Sequence, residues 1–108
     1  MHTAAPESDI LYNINMKVKY QCNPGEKLGI SGNIPELGFW KEFKYTMECK
    51  ADNLWITRTP ILTKKRYFQY KYVILNADGT LKSWERGVDR ICDCDILPSV
   101  EGQSTMVG

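Results

Sequence analysis

Residues 14–22 alternate without a break. Ile14, Met16, Val18, Tyr20 and Cys22 are apolar, and Asn15, Lys17, Lys19 and Gln21 between them are polar. Successive side chains of a strand point to opposite faces, so this segment reads as a half-buried strand. A helix would scatter the same residues around its circumference. No stretch of the 108 residues sustains a helical period.

The rest of the chain repeats this message in short pieces. Residues 27–32, 44–49, 54–61, 67–76, 80–86 and 89–96 read as further strands. Residues 67–76 are the strongest, dense in aromatic and β-branched side chains. Turns are expected at Asn23-Pro24-Gly25-Glu26, Ala51-Asp52-Asn53, Lys64-Lys65-Arg66 and Asn76-Ala77-Asp78-Gly79, with a Pro- and Gly-punctuated loop over residues 34–39. About seven short strands with turn signals between them predict an all-β, antiparallel immunoglobulin-like β-sandwich. Residues 1–10 read as a flexible tail, 11–98 as the domain, and 99–108 as a C-terminal tail or last short strand.

Composition excludes several function classes. A formal charge of +1 gives no field for nucleic acid or an anionic membrane. No apolar run has the ~18 residues of a membrane span, and no signal-peptide core follows Met1. The expectation is a soluble, cytoplasmic protein or a piece of one, with Cys22, Cys49, Cys92 and Cys94 as reduced thiols. On a strand, Cys92 and Cys94 share a face. No metal site is expected, because the single histidine, His2, lies in the tail and the cysteines lack ligand spacing. No cofactor fingerprint or nucleophile motif is present, so catalysis within the chain is not expected.

The tryptophans carry the functional signal. With an even hairpin loop at Asp78-Gly79, Trp84 pairs opposite Val73 and lies diagonal to Lys71, while Phe68, Tyr70, Tyr72 and Ile74 point to the other face. Lys82 and Arg86 flank Trp84 on its own face, which suits a wet surface better than a core. Trp40 follows a loop of the kind that carries function. Trp55, between Leu54 and Ile56, reads as core. An exposed indole suits a flat, partly apolar ligand, and a sugar ring fits that description. Two plainer roles stand beside this one: Trp84 as a sheet-edge residue under a loop, and Trp40 as a cap on the sandwich.

Four motifs then align in order: Gly32-Asn33-Ile34-Pro35-Glu36-Leu37-Gly38-Phe39-Trp40, Phe68-Gln69-Tyr70-Lys71-Tyr72-Val73-Ile74, Asp78-Gly79 with Trp84-Glu85, and Asp89-Arg90. Together they resemble the starch-binding domain, family 20 of the carbohydrate-binding modules, over residues 14–98. The resemblance implies a β-sandwich that binds α-1,4-glucans such as starch, glycogen, maltooligosaccharides and cyclodextrin, and that tethers an attached catalytic domain to the polymer. It implies a sugar site of Trp40, Lys71 and Trp84, with Glu85 where the family often has a sugar-contacting acid. Asp89 stands where the family has a sugar-contacting Asn. The family's second aromatic platform has no counterpart, since Pro24 and the aromatic-free Lys50-Ala51-Asp52-Asn53 occupy its positions. The competing class is an immunoglobulin-like protein-interaction domain without a sugar site.

Overall fold

The structure is a computed structural model that describes residues 7–94 and 101–105. Nine strands run through them: β1 (Glu7–Lys19), β2 (Lys27–Gly32), β3 (Tyr45–Lys50), β4 (Leu54–Thr57), β5 (Ile61–Lys65), β6 (Tyr67–Leu75), β7 (Leu81–Trp84), β8 (Arg90–Asp93) and β9 (Glu101–Thr105). All pairings are antiparallel except β1 with β9. Among the described residues, helix is confined to 3-10 turns at Pro35–Trp40 and Ala51–Asn53.

The alternation in β1 becomes packing directly. Ile14, Met16 and Val18 are buried, and they join Met47 and Trp55 from β3 and β4. Leu28 and Ile30 of β2 meet them from the other side, with Phe68, Tyr72 and Ile74 of β6 and Cys92 of β8. The two sides are stitched at a short β2–β3 ladder, Gly29 opposite Thr46 and Ile30 opposite Tyr45. The result is an all-β sandwich with one apolar interior. Trp55 is 7% exposed, and its indole N–H donates to the Tyr20 carbonyl at 2.9 Å. Cys92 and Cys94 are both buried, and Cys22, Cys49, Cys92 and Cys94 form no disulfide with one another.

Three expectations are corrected. The strand expected over 54–61 is two strands, because Arg58, Thr59 and Pro60 form an exposed corner between β4 and β5. β5 includes Lys64 and Lys65, which had read as a turn. Its inward residues Ile61 and Thr63 are buried while Leu62 and Lys64 face out, so the charges decorate a strand. The tail expected over residues 1–10 ends earlier, since β1 starts at Glu7 and pairs with Lys65. A register shift between Glu7 and Tyr12 leaves Ile10 and Leu11 both exposed, which hides the strand period there. Residues 1–6 lie outside the described residues.

Candidate functional site

β2 already occupies one edge of β6 from Tyr70 to Leu75. β7 and β8 therefore lie end to end along the other edge, Trp84 opposite Val73 and Arg90 opposite Tyr70. The Trp84–Val73 pairing is the one expected from the sequence, reached by a different route. The hairpin closes with Asn76 N–H on the Thr80 carbonyl at 2.8 Å, which leaves an odd loop of residues 77–79. A bulge follows, as the pairing moves from Leu75–Leu81 to Ile74–Ser83, and parity is restored. Asp78 fixes the odd loop by accepting from the Thr80 N–H and hydroxyl at 3.0 and 2.6 Å, and these bonds hold its carboxyl below the usual range.

Trp84 is 37% exposed. Trp40 is half-buried, its ring centroid 6.1 Å from that of Trp84 and its plane tilted by 57°. Phe43 supports Trp84 edge-on at 5.6 Å. The two indoles thus form an open V rather than a flat floor. Their relative orientation is set by packing before any ligand arrives.

Trp40 is delivered by a short, strained segment. β2 must leave β6 at Gly32, where a Cβ would sit 2.6 Å from the Gln69 carbonyl oxygen and 2.9 Å from Leu37 Cδ1. Asn33 locks the exit: its side-chain oxygen accepts from Gln69 N–H at 2.8 Å, and its own N–H donates to Gln69 O at 3.1 Å. Pro35 starts the 3-10 turn, and fully buried Leu37 anchors it. Gly38 then enters the left-handed region at φ 79°, and Phe39 and Trp40 stay there at 52° and 66°. Lys41 and Glu42 N–H groups close on the Gly38 carbonyl at 3.0 and 3.1 Å. Left-handed backbone at two bulky residues is an outlier, maintained by the bonds around it.

Lys71 and Asp89 sit beside the platform. Glu85 N–H still bonds to the Tyr72 carbonyl at 3.0 Å, residues 86–89 then leave β6 before β8 begins, and the Lys71 side chain reaches into this bow. Its ammonium donates to the Gly87 carbonyl at 2.6 Å and, more weakly, to the Glu85 carbonyl at 3.4 Å. It also lies 3.8 Å from Asp89 Oδ1. The Asp89 carboxylate is 40% exposed and so remains open to a ligand hydroxyl.

Glu85 is placed differently from the expectation of a sugar contact. It is 3% exposed and points inward. Its carboxylate receives Arg90 Nε at 2.9 Å on both oxygens and Nη2 at 2.6 Å, and Oε1 also accepts from Tyr72 N–H at 3.3 Å. Strand parity explains this, because the residue after an outward Trp84 must face in. Arg90, opposite inward-facing Tyr70, reaches the same space and lies 5.1 Å from the Tyr72 ring centroid. Its guanidinium is held protonated even more firmly than usual by Glu85. The pair closes the bow that carries Gly87 and Asp89.

The structure therefore brings Trp40, Lys71, Trp84 and Asp89 together at the surface and turns Glu85 beneath them. Phe43 and Arg90 complete the support. Arg90 was within reach of the sequence through its parity with Tyr70, whereas Phe43 sits in a loop with no periodic signal. Between β3 and β4, Asp52 and Asn53 form an exposed polar turn, tied down by Lys19 Nζ on the Asp52 carbonyl at 3.0 Å and Tyr20 N–H on the Asn53 carbonyl at 3.0 Å. Among the described residues no cluster of His, Cys, Asp and Glu has metal-binding geometry.

Comparison with known proteins identifies the family. A curated glucoamylase from Neurospora crassa is 34% identical over 91 residues, covering 80% of this chain and 14% of that protein. A solved glycoside hydrolase family 15 glucoamylase from Hypocrea jecorina shares the fold with a TM-score of 0.74 at 15% identity, covering 98% of this chain and 18% of that one. The chain thus spans a small fraction of either relative. The family model for the starch binding domain matches residues 11–100, and the chain belongs to the starch binding domain family.

Proposed function

We propose that this non-catalytic module binds α-1,4-glucan chains by stacking sugar rings on Trp40 and Trp84. The observation that carries the reading is the open V of the two indoles, 6.1 Å apart and tilted by 57°. α-1,4 linkages turn each ring relative to its neighbour, so the polymer curves. Two tilted aromatic planes suit a curved chain better than a flat floor would. Lys71 and Asp89 supply a donor and an acceptor at the side of the V for sugar hydroxyls. Glu85 acts through Arg90 and not by touching sugar.

Each stacked ring contributes on the order of 1 kcal/mol, and a preformed platform loses little entropy on binding. One such site corresponds to a Kd of roughly 10 μM to 1 mM for short oligosaccharides. Avidity on a granule then comes from repetition of weak sites or from an attached domain. The glucoamylase relatives favour a role in holding a catalytic domain on its polymer, with starch, glycogen and cyclodextrin all within the chemistry of the site. Four cysteines held as thiols suit a reducing, cytoplasmic setting, which we propose for this chain.

Co-sedimentation with granular starch tests the proposal. The wild-type chain should partition to the pellet, and Trp84→Ala should stay in the supernatant with an unchanged circular dichroism spectrum. A wild-type chain that remains soluble at high starch excess would favour the protein-partner class instead.

A further inference from the structure

Phe39 is the residue of the platform region that local physics disfavours twice. Its backbone is left-handed, φ 52° and ψ 42°, a conformation that glycine or asparagine adopts far more readily than a bulky side chain. The residue is 54% exposed, so core packing does not explain the choice. A residue that breaks a local rule without a packing gain marks a functional position more often than an accident.

Its surroundings give that position a direction. Phe39 immediately precedes Trp40 in the segment held by buried Leu37 and by the two N–H groups closing on Gly38 O. Successive side chains in a helical turn of either hand diverge by roughly 100°. The Phe39 side chain therefore leaves the backbone in a different direction from that of Trp40. Phe39 is nonetheless an exposed apolar residue one position from Trp40, placed for a sugar chain that runs on beyond that indole.

Given the platform reading above, we infer that Phe39 is an additional ligand-contacting residue, forming a flanking subsite for α-glucan chains that extend beyond Trp40. The subsite takes the C–H face or edge of a sugar unit that short oligosaccharides do not supply. It therefore selects for length. Asp89 and Lys71 lie on the Trp84 side, so the two ends of the site differ in chemistry, one polar and one apolar.

Calorimetric titration of wild type and Phe39→Asn with maltotriose and maltoheptaose provides the test, with melting temperatures measured in parallel. Asparagine suits the left-handed backbone, so the melting temperature should hold or rise. Maltoheptaose affinity should fall by about 2- to 10-fold while maltotriose affinity stays within error. Phe39→Tyr should keep the wild-type preference for the longer ligand. Unchanged maltoheptaose affinity in Phe39→Asn would overturn the inference. So would a lowered melting temperature with equal loss for both ligands, which marks a structural ring. Should Phe39→Asn fail to fold, the structural role is established and the inference is lost. Trp84→Ala separates the two layers of argument. If wild type binds neither sugar, or Trp84→Ala binds both, the platform itself fails. If Trp84→Ala loses binding and Phe39→Asn does not, only the flanking subsite fails.

Discussion

Replacing Arg90 with methionine should be among the most damaging single changes available on this face. The guanidinium makes three hydrogen bonds to Glu85, at 2.6, 2.9 and 2.9 Å, and packs on the Tyr72 ring. Glu85 is 3% exposed, so Arg90→Met strands a carboxylate that water reaches poorly. Breaking a buried pair from one side costs about 3–5 kcal/mol. The Arg90 side chain is 22% exposed, so water can enter the vacated end, and the lower part of that range applies. For a chain of this size, ~3 kcal/mol corresponds to a drop of roughly 10–15 °C in melting temperature. Glu85→Gln should cost less, because the partly exposed guanidinium can turn toward solvent. The double variant Glu85→Gln/Arg90→Met should recover part of the loss, giving a coupling energy above ~1 kcal/mol in a double-mutant cycle. Near-UV circular dichroism melts of the four proteins supply the numbers. A drop of less than ~1 kcal/mol for Arg90→Met, the range of exposed pairs, or strict additivity would refute the buttress argument.

Other outcomes follow from burial and charge. Trp55→Ala should lose about 3–5 kcal/mol, since a core indole and its bond to the Tyr20 carbonyl both disappear. Trp84→Ala should lose about 1–2 kcal/mol, because its open side lets Phe43 and water close over the gap. Urea melts giving the reverse order would mean that platform and core are exchanged. Thiol labelling should begin at exposed Cys49. Cys22 and Cys92 should lag, as burial pushes their thiols up to about 11 and about 12 from an ordinary 9.0. Cys92 labelling as fast as Cys49 in mass spectrometry would contradict this. Both thiols titrate higher in the folded chain than in the unfolded one. Their contribution is thus fully present below pH ~9 and is lost as pH rises through ~11 to 12, so urea midpoints should decline over that interval and not below it.

The sequence revealed most where a side-chain period met a buried face. β1 from Ile14 onward, the inward set of β6, core Trp55 and the common face of Cys92 and Cys94 were all visible from alternation alone. β5 was hidden because its outward positions carry lysines, and charge reads as turn before the edge-strand role is known. The start of β1 was hidden by an irregular register that exposes two consecutive apolar residues. At the candidate site, motif order picked out Trp40, Lys71 and Trp84, which the fold brings near one another, and also Glu85, which is buried; the parity rule that placed Trp84 outward already placed its neighbour inward. The left-handed backbone at Phe39 and Trp40 has no signature except Gly38, and Phe43 has none at all.

The central claim is that one V of two indoles holds the glucan. Isothermal titration of the chain with β-cyclodextrin tests it most directly. The wild type should titrate with one site per chain and Trp40→Ala/Trp84→Ala with no measurable heat, because Pro24 and residues 50–53 offer no second aromatic surface. A stoichiometry of two sugars per chain, or binding that survives in the double variant, would contradict it and move attention to Tyr12 and Tyr45.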